Sequence, residues 1–162
     1  MASVSAVLAG CGTGGGEVAR TPPPDCVPQR DNLIVPGCRI GPITIGLDPA
    51  EVFGALGSPQ KSNVGTGPTS ISTYVYQDVS VNVRTATNRV SEVFTSSPRY
   101  STAEGVRVGM SELELRAKLS APSRARQFNP VNLTYYYTRG LEVVFNPQEG
   151  SRVVTISVNV GR

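Results

Sequence analysis

One stretch of sequence occurs twice in this chain, and this repeat constrains the fold more than any other feature. It covers residues 43–59 and again residues 106–122, and the aligned glycines, Gly46 and Gly109, are separated by 109 − 46 = 63 positions. Both copies read apolar-x-β-branched-Gly-apolar-(Asp/Ser)-x-x-Glu-apolar-x-x-x-Leu-x-small-Pro. Because a repeated pattern marks a repeated structural unit, we expect two similar units in tandem.

Each copy carries the signals of a short strand followed by one helix. Asp48 and Ser111 are N-cap residue types, and a glutamate, Glu51 or Glu114, follows each of them three positions later. This spacing is a capping box, in which the two residues satisfy each other's backbone amides at the start of a helix. A proline ends each copy, so the sequence predicts a helix of about three turns in each unit.

Three β-patterned runs follow each predicted helix. The middle run of the first unit strictly alternates apolar and polar side chains, which is typical of a strand with one buried face. The six runs are residues 70–76, 79–84, 89–96, 133–139, 141–145 and 152–158. The sequence thus predicts an α+β fold in which two tandem α-β-β-β repeats, residues 41–99 and 100–162, form one six-stranded antiparallel sheet with both helices on one face.

The internal alignment also predicts a change of hairpin length between the units. The offset of 63 places Tyr74 on Tyr137, whereas the buried positions of the middle run shift by one, from Val81 to Val143 (143 − 81 = 62). A one-residue slip would turn that strand inside out. We therefore expect a longer hairpin at residues 146–150 to absorb the shift.

Residues 1–11 resemble the end of a bacterial signal peptide. The sequence Leu-Ala-Gly-Cys at residues 8–11 is similar to the lipobox of lipoprotein precursors, which implies that Cys11 is lipidated and anchors the chain to a membrane. Gly12 follows it in place of the Asp that retains lipoproteins at the inner membrane, so the outer membrane is the expected location in a Gram-negative host. The alternative is an Ala/Val/Gly-rich tail that happens to contain a cysteine. Residues 12–40 are predicted to form a flexible tether.

Cys26 and Cys38 remain once Cys11 is assigned to the lipid anchor. An even pair of cysteines in an exported chain indicates a disulfide, and a loop of this size would contribute about 2.5–3 kcal/mol to stability. The alternatives are two reduced thiols or a zinc site. Zinc is disfavoured because the chain has no histidine and the spacing fits no zinc pattern. We therefore expect no metal and no cofactor.

The pattern of each unit resembles a known family. A Gly-(Met/Leu)-(Ser/Asp)-x-x-Glu helix followed by a three-stranded meander with a Tyr-rich first strand is similar to the SmpA/OmlA family of small outer-membrane lipoproteins. Two such units in tandem resemble the architecture of the β-lactamase inhibitor protein. The resemblance covers residues 41–159. It implies an exported binding protein without catalysis, which holds another protein with its sheet or its loops.

The composition argues against catalysis and against nucleic-acid binding. The chain has no histidine, which excludes mechanisms that use imidazole. Glu51 and Glu114 form a matching pair of carboxylates, but their capping positions already explain them. The net charge of +3 is small and scattered, whereas nucleic-acid binding needs clustered basic residues. We therefore predict that the chain has no catalytic residues and is not an enzyme.

Tyrosines and arginines around the first strand of each unit are the predicted partner-binding residues. Three consecutive tyrosines at 135–137 place rings on both faces of one strand, so at least one ring points away from the core. Tyrosine and arginine are favoured at protein interfaces. The predicted set is Tyr74, Tyr76, Arg124, Arg126, Phe128, Tyr135, Tyr136 and Tyr137, with residues 124–128 in a loop. The alternative is that the tyrosines cover a sheet edge or cap the core with their hydroxyls in water.

The sequence therefore predicts a non-catalytic envelope lipoprotein that acts as a protein-interaction module, with another envelope protein as its partner. One alternative is a carrier or sensor for a small apolar ligand or lipid in the envelope. Another is a structural envelope protein. A deep apolar pocket would favour the carrier, whereas a Tyr/Arg surface would favour protein binding.

Overall fold

The computed structural model describes residues 26–129, 131–137 and 139–160. The predicted signal-peptide segment with Cys11 lies outside the described residues. Along the chain the elements are β1 (Leu33–Val35), β2 (Arg39–Ile40), β3 (Ile43–Thr44), α1 (Pro49–Leu56), β4 (Lys61–Asn63), β5 (Ile71–Val75), β6 (Ser80–Arg84), β7 (Arg89–Thr95), β8 (Ser101–Thr102), α2 (Glu112–Lys118), β9 (Arg124–Asn129), β10 (Asn132–Tyr137), β11 (Leu141–Asn146), a 3₁₀ turn (Pro147–Glu149) and β12 (Arg152–Asn159).

Strands β4 to β7 and β9 to β12 form one antiparallel sheet, called the main sheet. Its order is β4-β5-β6-β7-β12-β11-β10-β9, so each half is a meander and the last strands of the two halves pair at the centre. The predicted α+β fold with antiparallel strands is confirmed, but the number of six strands was wrong because β4 and β9 add an edge strand on each side. Neither edge strand has the apolar alternation that marks a strand in a sequence. The three residues of β4 are all exposed.

A second sheet, called the small sheet, holds the N-terminal part of the described chain against the junction between the halves. Its order is β3-β2-β1-β8, and β1 and β8 are parallel, which differs from the single antiparallel sheet expected. Residues 33–40 thus contribute strands, in contrast with the flexible tether predicted for residues 12–40. The physical reason is that Ile34 and Ile40 are almost fully buried in the core, and burial of apolar side chains stabilises the docked segment.

A buried ion pair and a disulfide also fix this segment. Arg39 is 1% exposed, and its guanidinium donates to both carboxylate oxygens of Asp31 at 2.7 and 2.9 Å. The hydrogen bond from Arg39 lowers the pKa of Asp31 below its ordinary value. Cys26 and Cys38 form the predicted disulfide, with their Cα atoms 4.9 Å apart. The segment before the first repeated motif is therefore attached to the folded domain.

Both predicted helices are present, and both begin with the predicted capping box. Asp48 accepts from the N–H of Glu51 at 2.9 Å, and Glu51 accepts from the N–H of Asp48 at 2.8 Å. Ser111 and Glu114 make the same pair of bonds at 3.3 and 2.8 Å. The helices have 8 and 7 residues, about two turns each instead of three. The first ends at Gly57, whose φ of 78° glycine adopts without strain.

Both helices pack on the same face of the main sheet. Val52 of α1 and Leu115 of α2 are both 0% exposed and belong to one hydrophobic cluster. The cluster includes Val81, Val93 and Val158, which lie directly opposite one another on β6, β7 and β12. One continuous core therefore spans the two halves.

The same backbone hydrogen bond occurs in each half, at positions that are 63 residues apart. The N–H of Gly46 donates to the carbonyl of Val90 at 2.9 Å, and the N–H of Gly109 donates to the carbonyl of Val153 at 2.8 Å. The register also shifts at matching places, between β6 and β7 and between β11 and β12. Such bulges usually have a structural role in a sheet and are not defects.

Strand register corrects one part of the internal alignment. Tyr74 lies opposite Val81, and Tyr135 lies opposite Val143. Tyr74 therefore corresponds to Tyr135 and not, as predicted, to Tyr137. The reason is that both hairpins of the second half are one residue longer. The first spans 143 − 135 = 8 positions against 81 − 74 = 7, and the second spans 153 − 145 = 8 against 90 − 83 = 7.

Candidate functional site

Most of the predicted partner-binding tyrosines lie on the helix side of the main sheet. Tyr74 packs edge-on against Phe53 of α1, with ring centroids 5.3 Å apart. Tyr76 and Tyr135 are 9% and 5% exposed, and Tyr137 packs against the core. Burial raises the pKa of the Tyr76 and Tyr137 hydroxyls. Tyr76 and Tyr135 therefore have little surface left for direct contact with a partner, whereas Tyr74 and Tyr137 are half-buried.

Tyr135 joins the sheet to α2 through a polar contact. Its hydroxyl donates to Oε1 of Glu112 and accepts from Nη2 of Arg116 at 2.7 Å. Arg116 also pairs with Glu112 at 2.8 Å. The hydrogen bonds from Tyr135 and Arg116 lower the pKa of Glu112, whereas burial raises the pKa of Tyr135. This contact gives Tyr135 a structural role.

The opposite face of the main sheet, called the open face, carries polar side chains. Thr73 donates to Oδ1 of Asn82 at 2.8 Å, and Asn82 donates to Oε2 of Glu92 at 2.8 Å. On the other side of the sheet centre, Asn159 donates to Oε1 of Glu142 at 2.7 Å. Cross-strand pairs of this kind each stabilise a sheet by about 0.2–1 kcal/mol. Together they form an ordered polar surface.

A cleft of 510 Å³ lies at the end of the open face, where β9, β10 and the turn after β10 meet. Its walls include Arg124, Arg126 and Arg139 together with Tyr136 and Glu142, and it is called the arginine cleft. Three guanidinium groups therefore face one carboxylate at neutral pH. The cleft has an excess of positive charge.

The side chains of the arginine cleft are held in place by their neighbours. The guanidinium of Arg124 lies 4.3 Å from the ring centre of Tyr136, its cross-strand neighbour. Glu142 is the neighbour of Tyr136 on the other side, and it accepts from Asn159. Guanidinium groups stay charged throughout the physiological pH range and bind carboxylates or phosphates through paired hydrogen bonds. The cleft is therefore suited to hold an anion, not to transfer a proton.

Of the predicted set, the structure brings four residues together in the arginine cleft: Arg124, Arg126, Tyr136 and Tyr137. The prediction that residues 124–128 form a loop was wrong, because they lie in the edge strand β9. Phe128 belongs to this strand, and its side chain is outside the described part of the structure. Sequence reasoning missed Arg139, which lies in the turn after β10 with a φ of 66°. The predicted run 133–139 included Arg139 as a strand residue, and Gly140 directly after it, a turn residue type, was the available signal.

A second cavity, of 500 Å³, lies between the C-terminal end of α1, the turn between β5 and β6, and the segment before β1, and it is called the interlayer cavity. Leu56, Val79 and Tyr100 contribute apolar wall, and Asp78 and Arg99 contribute polar wall. Arg99 donates to Asp78 at 3.3 Å. The cavity is mixed in character, in contrast with a deep apolar pocket.

Within the described ranges, no group of three or more His, Cys, Asp or Glu side chains is placed to hold a metal ion. In that part of the chain, no helix has the length and apolar character needed to cross a membrane.

No protein-family model and no curated protein matches the chain in sequence. Solved structures do share its fold. A DUF4309 family protein (YjgB) from Bacillus subtilis gives a TM-score of 0.54 at 14% identity, over 79% of this chain and 87% of that protein. The uncharacterized protein YfeY from Escherichia coli gives 0.53 at 11% identity, over 82% of this chain and 96% of that protein.

A third similar structure is an extracellular protein containing a SCP domain from Bacillus anthracis, with a TM-score of 0.50 at 10% identity. The match covers 70% of this chain and 43% of that protein, so the chain spans less than half of its length. Identities this low indicate a shared fold alone.

Proposed function

We propose that the chain is a non-catalytic protein-interaction module of the bacterial cell envelope, and that it binds its partner with the arginine cleft. The observation that carries this proposal is the placement of Arg124 over the ring of Tyr136 on the open face. Arginine and tyrosine are among the side chains that are enriched at binding hot spots. A fixed Arg/Tyr pair in a cleft that neither helix occupies is the type of surface expected for protein binding.

The chemistry of the cleft supports binding without catalysis. Guanidinium groups do not deprotonate in proteins, and the chain has no histidine to act as a general base. Glu142 accepts a hydrogen bond from Asn159 at 2.7 Å, so one of its carboxylate oxygens is already occupied. The cleft therefore recognises charge and shape.

We further propose that the module is two tandem repeats of the SmpA/OmlA type, combined as in the β-lactamase inhibitor protein. The shared capping boxes, hydrogen bonds and bulges support this proposal. So does the central pairing of β7 with β12, in which Phe94 lies opposite its own equivalent Ser157 (157 − 94 = 63). Antiparallel pairing of equivalent positions is what a local two-fold axis between two copies produces.

The envelope location is proposed from two features of the sequence and fold. The lipobox-like Leu-Ala-Gly-Cys ends at Cys11, and the Cys26–Cys38 disulfide is the type of bond that persists in oxidising compartments. Intact-mass measurement of the chain from its native host should show a triacyl-sized addition at Cys11 and a loss of two protons from the disulfide. An unmodified soluble product would contradict the lipid anchor.

Photo-crosslinking tests the interaction surface. A photoreactive phenylalanine is placed at Tyr136 in the cleft, or at Leu113, which is 79% exposed on α2 and serves as the matched control. We expect a discrete protein adduct from position 136 that falls about tenfold when Arg124→Glu is added, because charge reversal opposes an acidic partner. Equal adducts from both positions, or none that depends on Arg124, would contradict the proposed surface.

The interlayer cavity favours a second candidate, binding of a small amphipathic ligand. Leu56 and Tyr100 would contact the apolar part, and Arg99 lies at the polar wall. Titration with an anilinonaphthalene sulfonate dye should give saturable fluorescence that Leu56→Asp abolishes. Absence of saturable binding to the folded chain would remove this candidate.

A further inference from the structure

The outer side of β9 is an edge of the main sheet. β9 is the last strand in the sheet order, and no described strand pairs with its outer side. Residues 124–127 are exposed. An edge strand presents a row of backbone N–H and C=O groups that can pair with another chain. The arginine cleft therefore lies next to a sheet edge suited to strand addition.

The arginines alternate along this edge. Arg124 and Arg126 line the cleft, and Ala125 between them belongs to the other face, because successive side chains of a strand point to opposite faces. A strand added to β9 would place every second side chain next to these arginines. Acidic side chains at alternating positions would complement them, and Arg139 would extend the same positive surface.

The opposite edge of the sheet lacks this arrangement. β4 has three residues, Lys61–Asn63, whereas β9 has six. Charged side chains on an edge strand also prevent self-association, and a lone lysine on β4 fits that simpler role. Arg124 differs from Lys61 because its guanidinium is fixed against the Tyr136 ring in a cleft. The β9 edge therefore has the features of a recognition surface.

We propose that β9 pairs with an extended acidic segment of the partner protein, which becomes a ninth strand of the main sheet. Main-chain hydrogen bonds supply affinity in this mode, and alternate side chains supply specificity. Acidic residues at every second position would meet Arg124 and Arg126. This inference rests on the proposed interaction function and specifies the chemistry of the partner.

The first test uses a peptide of alternating valine and glutamate, eight residues long, labelled for fluorescence anisotropy with the full chain. We expect saturable binding that weakens as salt rises, and binding at least about tenfold weaker for the alternating valine–lysine peptide.

Two further peptides carry N-methyl groups on all valine amides or on all glutamate amides. Because an added strand pairs along one of its edges, at least one of them should bind about tenfold more weakly. Unchanged affinity for both would overturn strand pairing.

The second test uses protein variants. Arg124→Glu and Arg126→Glu should each weaken the glutamate peptide about tenfold, whereas Arg84→Glu, at an exposed position of β6 in the first half, should leave it unchanged. Unchanged thermal unfolding confirms that the variants are folded.

Full displacement of the peptide by inorganic phosphate would identify a small-anion site and overturn the inference. The chain could instead form dimers that dissociate on Arg124→Glu and do not bind the peptide. That result would assign the edge to a second copy of the chain and would also overturn the inference.

The two proposals fail differently. If no acidic peptide binds but the crosslink from position 136 still depends on Arg124, strand addition is wrong and the interaction surface stands. If both signals are absent, the proposed function itself is wrong.

Discussion

The two halves of the molecule place different chemistry at the same helix position. In the first half, Phe53 packs edge-on against Tyr74. In the second half the equivalent residue is Arg116 (116 − 53 = 63), whose guanidinium lies 5.3 Å from the ring centre of Tyr135 and pairs with Glu112. The N-terminal caps of the two helices match, and so do the strand pairs Tyr74–Val81 and Tyr135–Val143 that position these contacts. The geometry of the unit therefore tolerates either an aromatic or a charged contact between helix and sheet.

The open face differs more strongly between the halves. The cross-strand neighbours Arg124 and Tyr136 of the second half correspond to Lys61 and Val75 of the first, which are likewise directly opposite each other. The first half thus has a positive charge without an aromatic ring to hold it. Both halves contribute to the same core, yet equivalent positions of the open face carry different side chains, and the arginine cleft lies in the second half.

The largest expected effect compares the cores. Leu115→Ala should lower the free energy of unfolding by about 3 kcal/mol and Val52→Ala, at the equivalent position, by about 2 kcal/mol, because both side chains are fully buried and their removal leaves a cavity. Urea denaturation followed by circular dichroism measures both. Since one hydrophobic cluster spans the halves, each variant should unfold in a single transition. Two separate transitions would show that the halves are independent domains.

The next effect concerns the charged contact that the first half lacks. The pKa of Glu112 lies below its ordinary value, so its ionised form stabilises the fold above about pH 4.3, and this contribution is lost as the pH falls through the folded-state pKa. Glu112→Gln should therefore be less stable than the native chain at pH 7, and the difference should shrink between about pH 5 and pH 3. Thermal unfolding across that range measures it. A difference that stays constant with pH would show that the carboxylate contributes no charge-dependent stability.

The smallest effect on stability is expected on the open face. Arg124→Glu and Lys61→Glu should each change the free energy of unfolding by less than about 0.5 kcal/mol, because both side chains are exposed. Of the two, Arg124→Glu alone should weaken binding of the acidic peptide. Equal loss of binding in both variants would indicate a general charge effect and would contradict a specialised second half.

The candidate site was predicted in part. Arg124, Arg126 and Tyr136 were recognised as residue types that interfaces favour, and they line one cleft. Tyr76 and Tyr135 were predicted with them by the same reasoning, although they are buried on the helix side. A run of tyrosines reveals that both faces of a strand are aromatic, but not which face meets the core.

The edge strands and the small sheet were not predictable from local patterns. Strand β9 alternates arginine with small or polar residues, so its pairing with β10 has no apolar signature. Strands β1, β2, β3 and β8 have two or three residues each and exist because distant segments meet. Arg39 is buried because Asp31 reaches it across a turn, a contact between residues 8 positions apart.

Local spacing in the chain was sufficient to specify the two capped helices, the six strands β5, β6, β7, β10, β11 and β12, and the pairing of Cys26 with Cys38. These features depend on residues close in sequence, whose periodicity and capping chemistry act before any long-range contact forms. Long-range packing decided the rest: the pairing of β7 with β12 at the centre, the docking of residues 33–40 and the face on which each tyrosine lies. A strand shows its two faces in sequence, but the neighbours that bury one of them are known only when the whole sheet has formed.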